Sequence, residues 1–283
     1  MKLQLKAARS GRLSSFLKEE LKMSTGLINR LKWGDAIQVN NVPQHTDFAV
    51  KLGDVITVEL NEPMPDYPAE PGELAVLYED DHILVVDKPA MMLIHPSHSQ
   101  NSGTLANRVL GYYAQTGQKS AFHPVTRLDR DTFGAVLLAK NSHVHTLLQN
   151  TAVEKTYHAL VFGGPEMDRG VIDAPIARRP LPSLLRCVSP EGKPSVTEFA
   201  VLDRQENTSL LALRPITGRT HQLRLHCAHM GFPILGDPQY CSEDSRQYSQ
   251  TLGCTYQRLC AKELAFLHPI TGQKIQIHSH MDP

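Results

Sequence analysis

The sequence predicts an α+β protein, with a mixed, mostly antiparallel β-sheet in its larger part and a small helical unit in front. Two observations support this. From Leu77 onward, short strand-like runs alternate with irregular segments, and long helical patterns are rare. Before that point, a stretch with four prolines and four acids separates the two parts. We therefore predict domains at residues 1–60 and 75–283, joined by a stiff, extended linker at residues 61–74.

The charge is unevenly distributed, although the formal net charge of the 283 residues is zero. Residues 1–60 carry nine basic and six acidic side chains, a net charge of +3. Residues 61–87 carry eight acidic and no basic ones, and residues 88–283 carry twenty basic and fifteen acidic ones, which gives −8 and +5. The two bodies are mildly basic and can accept a polyanionic partner. The acidic linker is expected to stay away from such a partner.

Cysteine usage and hydropathy exclude several classes of protein. The five cysteines are an odd number and form no C-x-x-C pair, which argues against a disulfide framework and for a reducing cytoplasm. No apolar run approaches the length of a membrane span, and the N-terminal MKLQLKAARS lacks the apolar core of a secretory signal. We expect a cytoplasmic monomer, because no long apolar stripe is left without a core to fill.

The N-terminal unit has a helix–helix–strand order. Apolar residues recur at helical spacing from Leu13 to Leu21, and Ser24 or Thr25 can cap a second helix that ends near residue 31. Residues 37–41 predict a strand that ends in a turn, and residues 52–58 predict a turn and a closing strand. The polar face carries four basic side chains, which suit phosphate contacts: Lys18, Lys22, Arg30 and Lys32. The alternative is an ordinary solvated face on a small helical module.

A dense charge cluster enters a core strand in the second body. The stretch HPVTRLDRDTFG, residues 123–134, packs two arginines and two aspartates between Arg127 and Asp131, and residues 135–139 then form a buried-type strand. The local pattern leaves two interpretations open, a surface turn with salt bridges or a functional site. Further strands are predicted at residues 82–86, 155–164 and 209–214, and residues 215–226 predict a turn that opens a helix.

Six stretches between residues 75 and 275 resemble, in the same order, the RluA branch of the RNA pseudouridine synthases. They are LYEDDHILVVDKPAMMLIHP, HPVTRLDRDTFG, EKTYHALVFG, GKPSVTEFAVL, LRPITGRTHQLRLHCAHMGFPILGDPQY and LAFLHPITG. The N-terminal unit resembles the small alpha-L RNA-binding domain named after a ribosomal protein. The resemblance implies a catalytic domain of the pseudouridine synthase type with a central RNA-binding cleft.

The resemblance implies isomerisation of uridine to pseudouridine in structured RNA, with ribosomal RNA the first expectation and transfer RNA the second. This reaction breaks the bond between ribose and base nitrogen, turns the base and reattaches it through carbon. No electrons or atoms are gained, so no cofactor is expected. A metal site at His226-Cys227-x-His229 is not expected either, because no second ligand pair has a zinc-like spacing.

Residue roles follow from the motif positions. The resemblance makes Asp129 the catalytic aspartate, Arg219 the arginine that pairs with it, and Tyr157 the active-site tyrosine. It also makes Arg127 the side chain that enters the RNA stack where the uridine flips out. We further expect Lys88 and His95 to contact RNA.

The sequence departs from the family pattern at three positions. The family usually has glycine at Met91, serine at Phe133 and glycine at Cys241. Phe133 follows the predicted catalytic aspartate by four residues, so it is expected to affect the pocket. Two other functions remain open, a catalytically silent RNA-binding or ribosome-assembly protein and a glycosylase that releases free uracil. The intact Asp129, Tyr157 and Arg219 argue against the silent protein.

Overall fold

The N-terminal unit contains a four-stranded antiparallel sheet and two short helical segments. The computed structural model of the chain describes residues 2–62, 65–97, 99–180, 182–183 and 185–283. The elements of this unit are β1 (Lys2–Lys6), β2 (Gly11–Arg12), α1 (Leu13–Ser15) continued by a π-helical turn (Phe16–Glu20), α2 (Thr25–Leu31), β3 (Ile37–Val39), β4 (Val42–Pro43), β5 (Ala49–Val50) and β6 (Val55–Glu59). The sheet order is β1-β6-β3-β4, and β2 pairs with β5.

The cap and the turn predicted for this unit are confirmed, whereas the predicted helix–helix–strand order misses β1, which forms an edge of the sheet. Ser24 caps α2, because its hydroxyl accepts a hydrogen bond from the backbone N–H of Leu27 at 3.2 Å. Asn40 and Asn41 have φ angles of +53° and +64°, which suit the tight turn between β3 and β4. The apolar residues from Leu3 to Leu60 form a core of their own. The unit can thus bury its apolar face without the rest of the chain.

The second body is organised around a ten-stranded sheet. Its elements are β7 (Ala75–Glu79), β8 (Ile83–Lys88), α3 (Leu105–Gln115), β9 (His123–Pro124), β10 (Phe133–Ala139), α4 (Ser142–Gln149), β11 (Val153–Phe162), β12 (Arg169–Asp173), β13 (Ile176–Arg178), β14 (Arg186–Val188), β15 (Val196–Arg204), β16 (Thr208–Pro215), α5 (Gln222–His229), α6 (Glu243–Thr251), β17 (Leu259–Leu267) and β18 (Lys274–His278). The main order is β12-β15-β16-β11-β17-β10-β8-β7.

The pairing confirms the predicted mixed, mostly antiparallel sheet. Among the described strands, β10 and β17 run parallel, and the other pairs are antiparallel. All seven residues of β10 are buried, as predicted for the strand after the charge cluster. None of the helices in the described part of the chain is long and apolar enough to cross a membrane.

Gly134 makes the junction of β10 and β17 possible. Its φ is +107°, and a Cβ atom there would lie 2.5 Å from the carbonyl oxygen of Ala261 in β17. A side chain would therefore push the two strands apart. The glycine at the end of the charge cluster thus allows β10 to pair closely with β17 directly after the cluster.

The segment predicted as a linker lies against the second body. Pro63 and Met64, which belong to it, lie outside the described residues. From residue 65 to residue 74 there is no helix or strand, in agreement with an extended chain. The backbone N–H of Glu70 donates to the carbonyl of Asn107 in α3 at 2.9 Å, and the Asn107 side chain donates to the carbonyl of Pro68. The segment is therefore extended but docked on α3.

Candidate active site

An open cleft of about 510 Å³ lies where three parts of the second body meet. The charge cluster supplies one wall, β11 supplies a second, and the turn before α5 with the start of that helix supplies a third. Its lining includes Val125, Arg127, Leu128, Asp129, Thr132, Val153, Lys155, Tyr157, Arg219, His221, Leu223, Arg224 and Leu259. The structure therefore brings together four residues that the sequence predicted for the site: Arg127, Asp129, Tyr157 and Arg219.

Asp129 is paired with an arginine other than the predicted one. Its Oδ2 accepts a hydrogen bond from Nη1 of Arg224 at 3.1 Å, and its side chain is 33% exposed. Arg219 is exposed, and its Nε donates to the carbonyl of Pro194 at 3.3 Å. The prediction that Arg219 pairs with Asp129 is wrong. Arg219 lies in the irregular turn before α5, whereas Arg224 lies on the buried part of the helix.

Arg224 is the centre of a buried polar network. Its side chain is 6% exposed, and its Nε and Nη2 atoms donate to the two carboxylate oxygens of Asp237 at 2.7 and 2.8 Å. Its Nη2 also donates to Oε1 of Gln239 at 2.9 Å. Burial opposes the charge on Arg224, but the carboxylates of Asp237 and Asp129 outweigh it and raise the pKa. The guanidinium is therefore held in one orientation, with Nη1 toward Asp129.

His221 is the second basic group beside Asp129. Its Nε2 is 3.8 Å from Oδ2 of Asp129, and its Nδ1 is 3.0 Å from the hydroxyl of Tyr240. That hydroxyl accepts from the backbone N–H of Arg186, so it can donate its own hydrogen to Nδ1 and leave the Nε2–H toward Asp129. Burial lowers the pKa of His221, and Arg224 lowers it further against the effect of Asp129. A φ of +58° stores backbone strain at this position.

Tyr157 faces the cleft from the middle of β11. The pairing of β11 with β17 shifts register between Thr156 and Tyr157, and Tyr157 lines the cleft. Burial and the nearby Asp129 carboxylate raise the pKa of Tyr157 above its ordinary value. The phenol is therefore neutral at physiological pH, with a proton to donate and a ring face for stacking.

The cleft wall is positively charged. Its lining has one carboxylate, that of Asp129, and, besides His221, four basic side chains from arginine and lysine: Arg127, Lys155, Arg219 and Arg224. Arg127 is exposed and has no hydrogen-bond or ion-pair partner among the described residues, so it is free to contact a ligand. Lys155 is half-buried, and burial lowers its pKa. This charge distribution suits a polyanion whose chain passes over Asp129.

Lys88 does not lie on the cleft surface, which contradicts the predicted RNA contact. It is fully buried, and its ammonium donates to the carbonyls of Pro89, Met92 and Arg130 at 2.8, 2.8 and 2.9 Å. Burial lowers its pKa to about 7, with Asp131 and Asp129 opposing the shift. All three donors of an ammonium are used, which favours the charged form. Lys88 therefore ties two loops together, one of which carries Asp129.

We expect Lys88→Met to lower the free energy of unfolding by on the order of 3 kcal/mol, because three carbonyls lose their hydrogen-bond donor inside the protein. Urea denaturation followed by circular dichroism measures the change. Lys119→Met is the matched control, because Lys119 is exposed and its replacement should change stability by less than about 0.5 kcal/mol. Equal unfolding midpoints for Lys88→Met and wild type would contradict the assigned role.

Two of the three departures from the family pattern, Met91 and Phe133, can be interpreted from their surroundings. Met91 has a φ of +62°, in the region that favours glycine, which agrees with the glycine that the family has there. Phe133 is buried and its ring packs edge-on against Tyr256 at 5.7 Å. It is absent from the lining of the cleft. The expected effect of Phe133 on the pocket is therefore not direct.

The other residues predicted to contact RNA lie at the surface. Lys18, Lys22, Arg30 and His95 are exposed, and Lys32 is half-buried. Nη2 of Arg30 donates to Oγ of Ser142 at 3.3 Å, a contact with the start of α4. His95 packs edge-on against Phe122 at 5.0 Å. These positions permit the predicted contacts with RNA, which stay predictions.

Sequence reasoning missed Arg224, Asp237, Gln239 and His221. A signal for Arg224 was available, because an arginine between two apolar helix residues, Leu223 and Leu225, is unusual unless it has a buried partner. Asp237 gave no comparable local signal. Its side chain is fully buried, and its importance depends on the arginine that reaches it from another element.

A second cleft, of about 610 Å³, lies at the junction of the two bodies and has a different character. Its lining includes Glu62, Glu79, Asp80 and Asp81. Three lysines line it as well, so its four carboxylates leave it without the positive excess of the cleft at Asp129, which makes it less favourable for a polyanion. The cleft at Asp129 is therefore the better candidate for binding RNA.

The geometry defines what the site can do. A carboxylate is held by a buried guanidinium at the wall of a positively charged cleft, with a neutral phenol beside it. Such a carboxylate can attack an electron-poor sugar carbon or stabilise the positive charge that develops there, as in glycoside hydrolysis. The site is thus suited to breaking and remaking a bond at a ribose carbon in a nucleic acid.

Comparison with known proteins agrees with this chemistry. The model of a family described as RNA pseudouridylate synthase matches residues 82–229. The chain is 36% identical over 267 residues to the Bacillus subtilis protein named uncharacterized RNA pseudouridine synthase YjbO, which covers 92% of each chain. It is 31% identical over 287 residues to ribosomal large subunit pseudouridine synthase C of Vibrio cholerae, which covers 96% of this chain and 90% of the relative.

The fold of this chain is also similar to that of a solved structure whose name describes an RNA pseudouridylate synthase domain. Human RNA pseudouridylate synthase domain containing 1 superposes with a TM-score of 0.60 at 25% identity, over 76% of this chain and 93% of that one. Fold, site and relatives define an isomerase that acts on uridine in RNA. The chain belongs to the RNA pseudouridylate synthase family.

Proposed function

We propose that this enzyme converts one or more uridines of ribosomal RNA to pseudouridine, with Asp129 as the catalytic carboxylate. The observation that carries the proposal is the ion pair between Asp129 and the buried Arg224 in a positively charged cleft. Ribosomal RNA is favoured because the relative from Vibrio cholerae is named a ribosomal large subunit pseudouridine synthase. Transfer RNA is the next candidate substrate.

In the proposed reaction, the bond between N1 of uracil and C1′ of ribose breaks while Asp129 attacks C1′ or stabilises its positive charge. The uracil turns, and C5 bonds to C1′; where Asp129 has bonded to C1′, that bond breaks as the new one forms and the carboxylate is regenerated. The C5 proton then leaves and N1 takes up a proton, so atoms and electrons balance. Arg224 pairs with Asp129 and orients it toward the cleft, so the carboxylate is positioned before the substrate binds.

Tyr157 and Arg127 are proposed to handle the flipped nucleotide. Tyr157 stacks on the uracil, and its neutral phenol can relay a proton at the ribose. Arg127 stands exposed at the cleft and has no partner among the described residues, so its guanidinium can replace the uridine in the RNA stack. Flipping costs a few kcal/mol, and this replacement offsets part of it.

The predicted domain division is retained as part of the proposal. Residues 1–60 are proposed to bind RNA through Lys18, Lys22, Arg30 and Lys32, and residues 75–283 to catalyse, with His95 as a further contact. The separate core of the N-terminal unit supports the division. The five free cysteines support a reducing compartment, and we propose that the enzyme works in the cytoplasm as a monomer without a metal.

Pseudouridine mapping of total RNA tests the proposal. A strain without the gene should lack pseudouridine at one or a few ribosomal RNA positions, and a plasmid with the wild-type gene should restore them. A plasmid with the Asp129→Asn gene should not, which separates the reaction from RNA binding alone. Loss confined to transfer RNA would contradict the proposed substrate, and an unchanged profile in all RNA would contradict the proposed function.

A further inference from the structure

The only tryptophan of the sequence, Trp33, stands at the surface just beyond the end of α2. Its side chain is 78% exposed, and it does not belong to the core of the N-terminal unit. Large aromatic side chains usually bury most of their area, because exposing them to water is unfavourable. An exposed tryptophan on a unit with a well-formed core therefore indicates a contact surface.

Two neighbours define the surroundings of the ring. The ammonium of Lys32 is 5.0 Å from the ring centroid, and the ring of His45 lies 5.3 Å away at an angle of 51°. His45 is in turn fixed by Asp47, whose carboxylate oxygen is 2.9 Å from its Nδ1. Because Trp33 remains 78% exposed, these neighbours leave most of the ring open to a ligand.

The surrounding unit has spare positive charge. Its nine basic and six acidic side chains give a net charge of +3. In its described residues, Arg9 and His45 are the basic side chains that form ion pairs, so Lys18, Lys22 and Lys32 keep their charges available. A polyanion would be attracted to this surface, and an exposed aromatic ring beside unpaired ammonium groups is the combination that binds single-stranded nucleic acid.

We propose that Trp33 is a stacking platform for an unpaired base of the RNA substrate, with Lys32 beside it to contact the adjoining phosphate. This inference rests on the proposed function, because it takes RNA as the ligand. Every base has a π-face, so the platform accepts any unpaired base that the RNA backbone brings to it. It thus selects single-stranded segments of the RNA without reading their sequence.

The fluorescence of Trp33 reports on this site alone, because the sequence has one tryptophan. Wild-type protein is titrated with single-stranded oligouridylate and, separately, with a blunt RNA duplex whose bases are paired. The single strand should quench the emission in a saturable way, and the duplex should quench it far less. Equal quenching by both probes would overturn base stacking, as would binding of the single strand without quenching.

Variants measured by the anisotropy of labelled oligouridylate complete the test. Trp33→Ala should raise the dissociation constant about tenfold, which corresponds to the usual contribution of one stacked base. Trp33→Phe retains a ring and should raise it less than about threefold. Leu52→Ala is the control, because Leu52 is a 70% exposed apolar residue of the same unit and should leave the constant unchanged.

Tritium release from RNA labelled at C5 of uracil separates this inference from the proposed function. Trp33→Ala should raise KM and leave kcat as in wild type, because the ring acts in binding. Normal release with unchanged affinity in Trp33→Ala would overturn the stacking platform and leave the proposed function in place. Quenching and weakened binding without any tritium release by wild type would support the platform and overturn the proposed function.

Discussion

Asp129→Asn should lower kcat by at least on the order of a thousandfold, because it removes the negative charge that we propose acts at C1′ and keeps the size of the side chain. Tritium release from RNA labelled at C5 of uracil measures the effect directly, since C5 loses its hydrogen when the new bond to C1′ forms. RNA affinity should stay close to that of wild type. The cleft keeps its four basic side chains, and only one carboxylate is lost.

The fold should survive this change. The asparagine carbonyl can still accept from Nη1 of Arg224, and Arg224 keeps its bonds to Asp237 and Gln239. Asp131→Asn is the matched control from the same charge cluster, because Asp131 pairs with Arg130 at 2.8 Å and is absent from the cleft lining. Its kcat should stay within a few-fold of wild type. Full tritium release by Asp129→Asn would sink the assignment of the catalytic carboxylate.

The features that the sequence predicted correctly depend on local pattern. Strand β10 was predicted from a continuous apolar run, the cap at Ser24 from the start of a helical pattern, and the turn at Asn40 and Asn41 from its residue types. The cap and the turn depend on interactions between residues close in the chain, whereas β10 was predictable because its apolar run is continuous, although its pairing partners β8 and β17 are distant. The site residues that the motifs marked, Asp129 and Tyr157, also reach one cleft.

The errors concern side chains whose surroundings come from distant elements. Lys88 follows an apolar strand and precedes a proline, a context that does not separate a buried lysine from an exposed one. Its burial depends on the carbonyl of Arg130, 42 residues later. Arg219 and Arg224 stand five residues apart in one motif, and the left-handed conformation of His221 between them changes the direction of the chain. Pattern alone could not decide which guanidinium meets Asp129.

Lysine replacements at the two arginines distinguish the predicted pair from the observed one. Arg224→Lys should lower kcat by on the order of a hundredfold, because an ammonium is a single point charge and cannot hold Asp237 with two hydrogen bonds while directing a third to Asp129. Arg219→Lys should change kcat little and raise KM a few-fold, because its exposed guanidinium lies at the cleft mouth. Steady-state tritium release gives both constants for both variants.

The free energy of unfolding distinguishes the two arginines independently of the kinetics, because only one of them is the partner of a buried carboxylate. Arg224→Met removes the partner of Asp237, whose side chain is fully buried, and an unpaired buried carboxylate costs about 3–5 kcal/mol. Arg219→Met leaves no buried carboxylate without a partner, so this variant should unfold at nearly the same urea concentration as wild type.

If Arg219→Lys lost kcat while Arg224→Lys kept it, the catalytic partner of Asp129 would be Arg219, and the active site would have to rearrange when RNA binds. The opposite result would mean that the chain assembles its charged pair before the substrate arrives, so RNA binding needs only to flip the uridine into place.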